Sequence, residues 1–132
     1  MKKAFQYLIR WSINIALIAA LLLAAAVWLP GLFHMKAYVV KSSSMEPTIM
    51  PGSVIYVSPY REEETVSPGD IVSFQTGDAK VTHRVAAVDL EHGIVTTKGD
   101  ANQVCDSQPI TFDAIEGKVR FHIPAIGYLL LR

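Results

Sequence analysis

Ser44, His83 and two aspartates, Asp100 and Asp106, have the residue types that nucleophilic acyl transfer requires. A serine hydroxyl is a weak nucleophile until a neighbouring base removes its proton. An imidazole is the side chain best matched to that task at neutral pH. A carboxylate hydrogen-bonded to the imidazole then fixes its orientation and stabilises its protonated form. Ser44 lies in Lys41-Ser42-Ser43-Ser44-Met45-Glu46-Pro47-Thr48, where Pro47 stiffens a turn and Met45 offers an apolar contact. His83 lies in Val81-Thr82-His83-Arg84-Val85, and the aspartates follow in Lys98-Gly99-Asp100-Ala101-Asn102 and six residues later.

Each feature has a plainer explanation when taken alone. Three serines before a proline are usually a turn, and an aspartate in a Gly-Asp-x-Asn turn usually caps the backbone. Of the other histidines, His34 falls at the edge of an apolar segment, His92 in a turn and His122 close to Pro124. His83 alone sits inside a β-like run with a charged neighbour. Spacing does not choose between Asp100 and Asp106. The histidines and acids are scattered without metal-ligand spacing, and no glycine-rich phosphate loop is present, so no metal or other cofactor is expected.

The elements that must position these groups begin with a membrane anchor. Residues 12–33, 22 positions, carry no charge, and at about 1.5 Å per residue they match a hydrocarbon core of about 30 Å. Trp11 and Trp28 stand toward its ends, as interfacial aromatics do. Pro30 and Gly31 mark the expected helix break. The apolar run exceeds the core of a cleavable leader and lacks a small-x-small site near its end, so it reads as a retained anchor over 11–33. Lys2, Lys3 and Arg10 precede it, whereas Lys36 and Lys41 follow. The charge bias puts residues 1–10 in the cytoplasm and residues 34–132 outside, in a single-pass cell-membrane protein in contact with lipid.

Beyond the anchor, short β-branched runs broken by Pro and Gly predict strands over 37–40, 53–57, 70–74, 80–88, 93–97 and 117–121. The fourth and fifth form a hairpin across Glu91-His92-Gly93. The fold class is therefore mostly β, a small domain of antiparallel strands behind one helix, closed as a barrel or sandwich. Arg61-Glu62-Glu63-Glu64 reads as a solvated loop. Ile126-Gly127-Tyr128-Leu129-Leu130-Leu131 is too short to span a bilayer alone and reads as a buried edge, a lipid-dipping surface or the start of a further span.

Composition narrows the function classes. The 132 residues hold 12 basic and 12 acidic side chains, with no basic stripe past the N-terminus, so nucleic acid is not an expected partner. The single cysteine, Cys105, rules out an internal disulfide and a multi-cysteine metal site.

Four stretches in order, Ser42-Ser43-Ser44-Met45-Glu46-Pro47-Thr48, Pro68-Gly69-Asp70-Ile71-Val72, Thr82-His83-Arg84-Val85 and Lys98-Gly99-Asp100-Ala101-Asn102, resemble the type I signal peptidase family. A fifth, Gly117-Lys118-Val119 with Ile123-Pro124-Ala125-Ile126-Gly127-Tyr128, is similar to the family's closing segment. With histidine rather than lysine at position 83, the resemblance is to the endoplasmic-reticulum and archaeal-like branch, which uses Ser-His-Asp. It implies Ser44 as nucleophile, His83 as general base, Asp106 as the acid that orients His83 and Asp100 in a supporting role. It also implies an oxyanion site from the Ser44 backbone N–H and the Ser42 hydroxyl. Ser43 departs from the glycine that the family often has there, and many members carry a second span near the C-terminus.

The function expected from this resemblance is a membrane-bound serine endopeptidase that removes signal peptides from secretory preproteins, with accessory subunits undetermined. The substrate would lie extended in an apolar groove with Met45, Ile71, Val81 and Val85 as candidate walls, and small residues would precede the cut. The competing readings are a processing protease dedicated to a few surface proteins and a non-catalytic, membrane-tethered β module that binds a partner.

Overall fold

In the computed structural model, which describes residues 2–32, 34–61 and 65–124, the first 33 residues and residues 34–132 form two separate units. The first unit is one helix, α1 (Lys2–Leu32). Within it, Phe5–Ala26 is long and apolar enough to cross a membrane. The helix begins earlier than the expected anchor because Ala4 to Arg10 contains no breaker. It also continues through Pro30 and Gly31 to Leu32, so these two residues sit in the last turn instead of ending it. A proline there forfeits one backbone bond only.

The second unit contains β1 (Lys36–Val39), β2 (Val54–Pro59), β3 (Ile71–Thr76), β4 (Ala79–Asp89), β5 (Ile94–Lys98), the two-residue β6 (Ile110–Thr111) and β7 (Ile115–Ile123), with a 3₁₀ turn at Phe112–Ala114. They form one seven-stranded sheet in the order β1-β2-β7-β3-β4-β5-β6, antiparallel at every junction. Each of the six expected strands is present with ends shifted by a residue or two. The β4–β5 hairpin turns where expected, Gly93 taking a positive φ of 65° and Asp89 accepting the Glu91 and His92 N–H groups. β7 is longer than the expected 117–121 because β2 holds it on one side as far as Ile123 and β3 holds it on the other. It therefore includes His122. β6 gave no sequence signal; it is a two-residue ladder beside Ile94 and Val95. Glu62–Glu64 and the apolar segment 126–131 lie outside the described residues.

Two apolar clusters hold the sheet. Val66, Val72, Phe74, Val85, Val95, Ile110 and Ile115 form one, and Met45, Ile49, Ile55 and Val57 form the other, with Tyr38, Val40, Ile71 and Val119 packed against it. Side chains alternate faces along a strand, so β2 and β3, which lie inside the sheet order, bury residues on both. Gly117 allows β7 to cross close to β2: a Cβ there would stand 2.0 Å from the Ser58 carbonyl oxygen.

The edges of β1 and of the first half of β4 are left without a strand partner among the described residues. β1 pairs with β2 only. β4 pairs with β5 from Arg84 onward, so Ala79–His83 pairs with β3 on one side and with nothing on the other. Glu116 links these edges through side chains. Its Oε1 accepts from Lys36 Nζ at 2.9 Å and the Tyr38 hydroxyl at 2.5 Å, both on β1, and its Oε2 meets Lys80 Nζ of β4 at 2.5 Å. Burial alone would raise the Glu116 carboxyl, but the donors from Lys80, Tyr38 and Lys36 outweigh it and hold the group down to about 2.

Two outcomes follow from this packing. Gly117→Ala forces a carbon against backbone and is expected to destabilise the domain by about 1–3 kcal/mol or more, read as a lower thermal midpoint by circular dichroism of the full chain in detergent. A depressed carboxyl contributes stability above its ordinary value of 4.5 and loses it as pH falls through about 2. The stability gap between the parent and Glu116→Gln is thus expected to be full at neutral pH and to shrink below pH 4.5, as thermal melts across that range would show.

Candidate active site

The turn that carries Ser44 is pinned by the residues on either side of its proline. Met45 and Ile49 are 1% and 0% exposed, the Ile49 N–H donates to the Met45 carbonyl at 2.9 Å, and the Glu46–Pro47 peptide bond is cis. With those apolar side chains sunk into the second cluster, Ser44 faces the cavity between β1 and β4. Its carbonyl accepts the Ala101 N–H at 2.9 Å, which ties the turn to the loop after β5. That approach requires Gly99, where a Cβ would lie 2.6 Å from the same carbonyl oxygen.

His83 occupies the last unpaired position of β4 and is 9% exposed, with the Phe74 ring edge-on at a centroid distance of 6.3 Å. Its Nε2 lies 3.1 Å from Ser44 Oγ and its Nδ1 2.6 Å from Asp106 Oδ2. An acceptor-only carboxylate beside Nδ1 assigns the proton to that nitrogen and leaves the Nε2 lone pair for the Ser44 hydroxyl. Ser42 Oγ is 3.2 Å from Ser44 Oγ, so both hydroxyls stand at one end of the cavity.

The two aspartates that spacing left open have different partners. Asp106 contacts His83. Asp100 instead takes Arg84 in a two-pronged pair, Nε to Oδ1 at 2.8 Å and Nη2 to Oδ2 at 2.7 Å. The Arg84 bond, opposed by burial and assisted by Thr48, lowers the Asp100 pKa. Arg84 Nη1 also donates to the Gly69 carbonyl at 2.8 Å. It thus joins the turn before β3, strand β4 and the loop after β5.

Thr97 was absent from the expected set. Its hydroxyl donates to Asp106 Oδ2 at 2.6 Å, and its carbonyl accepts the Asp106 N–H at 2.8 Å. It is fully buried, like Val95 two residues before it on the same face of β5. That alternation was the available signal, because a threonine at an inward strand position must find an acceptor.

The cavity has a volume of about 570 Å³. Val40, Met45, Ile49, Ile55 and Val81 give it an apolar lining, with Ser44 and His83 at its edge. Of the four expected walls, Met45 and Val81 are there. Ile71 packs in the second cluster and Val85 belongs to the other, since Val85 follows the point where β5 covers the strand edge. His92 pairs with Asp89 at 2.7 Å in the hairpin turn, away from this group of residues. A half-buried serine, a buried imidazole and a half-buried carboxylate bonded in series can deliver a proton from a hydroxyl to a ring nitrogen while the carboxylate supports the resulting cation.

The family model described as signal peptidase, peptidase S26, matches residues 9–121. Over 99 residues the chain is 32% identical to signal peptidase I W of Bacillus subtilis (strain 168), an alignment that covers 72% of this chain and 52% of that protein. Over 110 residues it is 30% identical to the signal peptidase complex catalytic subunit SEC11 of Lodderomyces elongisporus, covering 74% of this chain and 65% of that one. The chain thus spans between about half and two thirds of the length of these curated relatives. The match runs from the apolar helix through β7 and includes Ser44, His83 and Asp106, and on it the chain belongs to the signal peptidase family, peptidase S26.

Proposed function

We propose that this protein is a membrane-bound serine endopeptidase that cleaves signal peptides from secretory preproteins. The observation that carries the reading is the continuous series Ser44 Oγ, His83 Nε2, His83 Nδ1 and Asp106 Oδ2 at the rim of an apolar cavity. Ser44 Oγ attacks the scissile carbonyl while His83 Nε2 accepts its proton. Asp106 holds the ring and balances the imidazolium charge. The tetrahedral oxyanion forms beside the Ser44 backbone N–H and the Ser42 hydroxyl. Such a donor is worth about 3–4 kcal/mol in the transition state. As the C–N bond breaks, His83 gives the proton to the leaving amine. Water, deprotonated by the same ring, then hydrolyses the acyl-enzyme and releases Ser44. Asp100 acts at one remove, by holding Arg84 and the loop that carries Asp106.

The substrate lies extended between the free edges of β1 and β4, whose unpaired backbone groups offer a ladder. Small residues fit next to the cut, where Met45 and Ile49 floor the cavity. The apolar helix, with residues 11–33 as its membrane segment, keeps residues 34–132 at the surface where a preprotein emerges. Lys2, Lys3 and Arg10 hold residues 1–10 on the cytoplasmic side.

Cleavage of a test preprotein in liposomes is expected to fall by about 10⁶-fold in Ser44→Ala and His83→Ala and by about 10⁴-fold in Asp106→Asn, with sequencing of the product placing a small residue before the cut. Full activity in folded Ser44→Ala would overturn the mechanism. For Thr97, a positioning residue, Thr97→Val is expected to lower kcat by about 10–100-fold with KM nearly constant. Thr97→Ser, which keeps the hydroxyl, is expected to recover most of it, a rescue that lost packing alone would not give.

A further inference from the structure

The cavity has a second polar end that this chemistry does not use. Its lining carries two ammonium groups, Lys41 and Lys80, and no carboxylate among the described residues. Lys80 Nζ stands 3.7 Å over the centroid of the Tyr38 ring, and both residues line the cavity. Glu116 does not line it. It holds Lys80 from behind while it also takes Lys36 and the Tyr38 hydroxyl. One carboxylate against two ammonium groups leaves this cluster with an uncompensated positive charge. Held down to about 2, Glu116 stays ionised through the neutral range, so the excess is permanent.

Position matters as much as charge. Lys80 precedes His83 by three residues on β4, about 10 Å along the unpaired edge. Strand alternation puts the two on opposite faces, so Lys80 shares its face with Thr82. An extended peptide laid along that edge alternates in the same way and sends one side chain toward Lys80 and Tyr38. A carboxylate there gains a charge-assisted hydrogen bond in a partly apolar setting, whereas Lys or Arg meets a like charge.

We infer that Lys80, steadied by Glu116 and Tyr38, forms a charge-selective subsite that receives an acidic side chain of the bound peptide and excludes basic ones. The inference rests on the reading of the cavity as the groove of a peptide-cleaving enzyme.

The test uses the full chain in detergent and a set of peptide substrates in which Asp or Lys replaces one residue at a time on both sides of the cut. At one position the parent is expected to cleave the Asp peptide about tenfold more efficiently than the Lys peptide, in kcat/KM. Lys80→Gln should bring that ratio toward unity and Lys80→Glu should invert it. Glu116→Gln, which removes the balancing carboxylate, should raise it. A merely destabilised domain would not shift the ratio in opposite directions. Binding of the same peptides to Ser44→Ala, by fluorescence anisotropy, repeats the comparison without hydrolysis. Charge preference in binding that inverts in Ser44→Ala/Lys80→Glu, with no cleavage by the parent, would sustain the subsite and remove the proteolytic reading. Cleavage with the same Asp-to-Lys ratio in the parent and the Lys80 variants would remove the subsite and leave proteolysis standing. A peptide set that neither binds nor is cleaved with any charge preference also overturns the subsite.

Discussion

The site depends on one place in the sheet, the Arg84–Lys98 pair, where β4 and β5 part. Toward the hairpin the two strands satisfy each other's backbone groups. Past Lys98, β5 ends and its chain turns back as the loop that carries Asp100 and Asp106. The other half of β4 keeps its N–H and C=O groups on one side open. Unpaired backbone in a part-buried setting is costly unless water or another strand meets it, so the parting creates an opening that is itself a template for an extended chain. His83 is the last residue on the open side and Arg84 the first on the closed side. Arg84 grips Asp100 at the point where the strands diverge, holding the loop over the imidazole.

Much of this was legible in the sequence, for a definite reason. Short β-branched runs and Gly/Pro punctuation located the six longer strands, because those signals are local. Ser44 and His83 each have a plainer explanation alone and stood out together, through the ordered stretches that resemble the signal peptidase family. What distinguishes Asp100 from Asp106 is not local. It depends on the pairing of Thr97 with Val85 on one side and with Asp106 on the other. Val85 was placed in the groove wall for the same reason: alternation alone cannot tell where a neighbouring strand stops covering an edge. β6, two residues after Pro109, has no pattern long enough to read. Glu116 lies just before the expected strand and gave no sequence signal, because its three partners come from segments 36 to 80 residues away.

The polar groups around the cavity are divided by task in their surroundings as well as their roles. Glu116 and Asp100 are each saturated by cations, which lowers both and makes them fixed charges that brace the framework. Asp106 is bonded through one oxygen to both a neutral hydroxyl and the imidazole, so its field is directed at the ring and not cancelled by a guanidinium. Exchanging the partners of the two aspartates would give a rigid loop and an undirected histidine.

The turn of Ser44 has a consequence for when the protein becomes competent. Ser44 and His83 are 39 residues apart and His83 and Asp106 are 23 apart, and the Ser44 carbonyl is itself a strut for the loop after β5. No hairpin or short fragment contains all three groups. They meet only when β1, β4 and β5 have all taken their places, so on the proposed mechanism a newly made chain stays chemically silent among other unfolded chains until its own folding is complete.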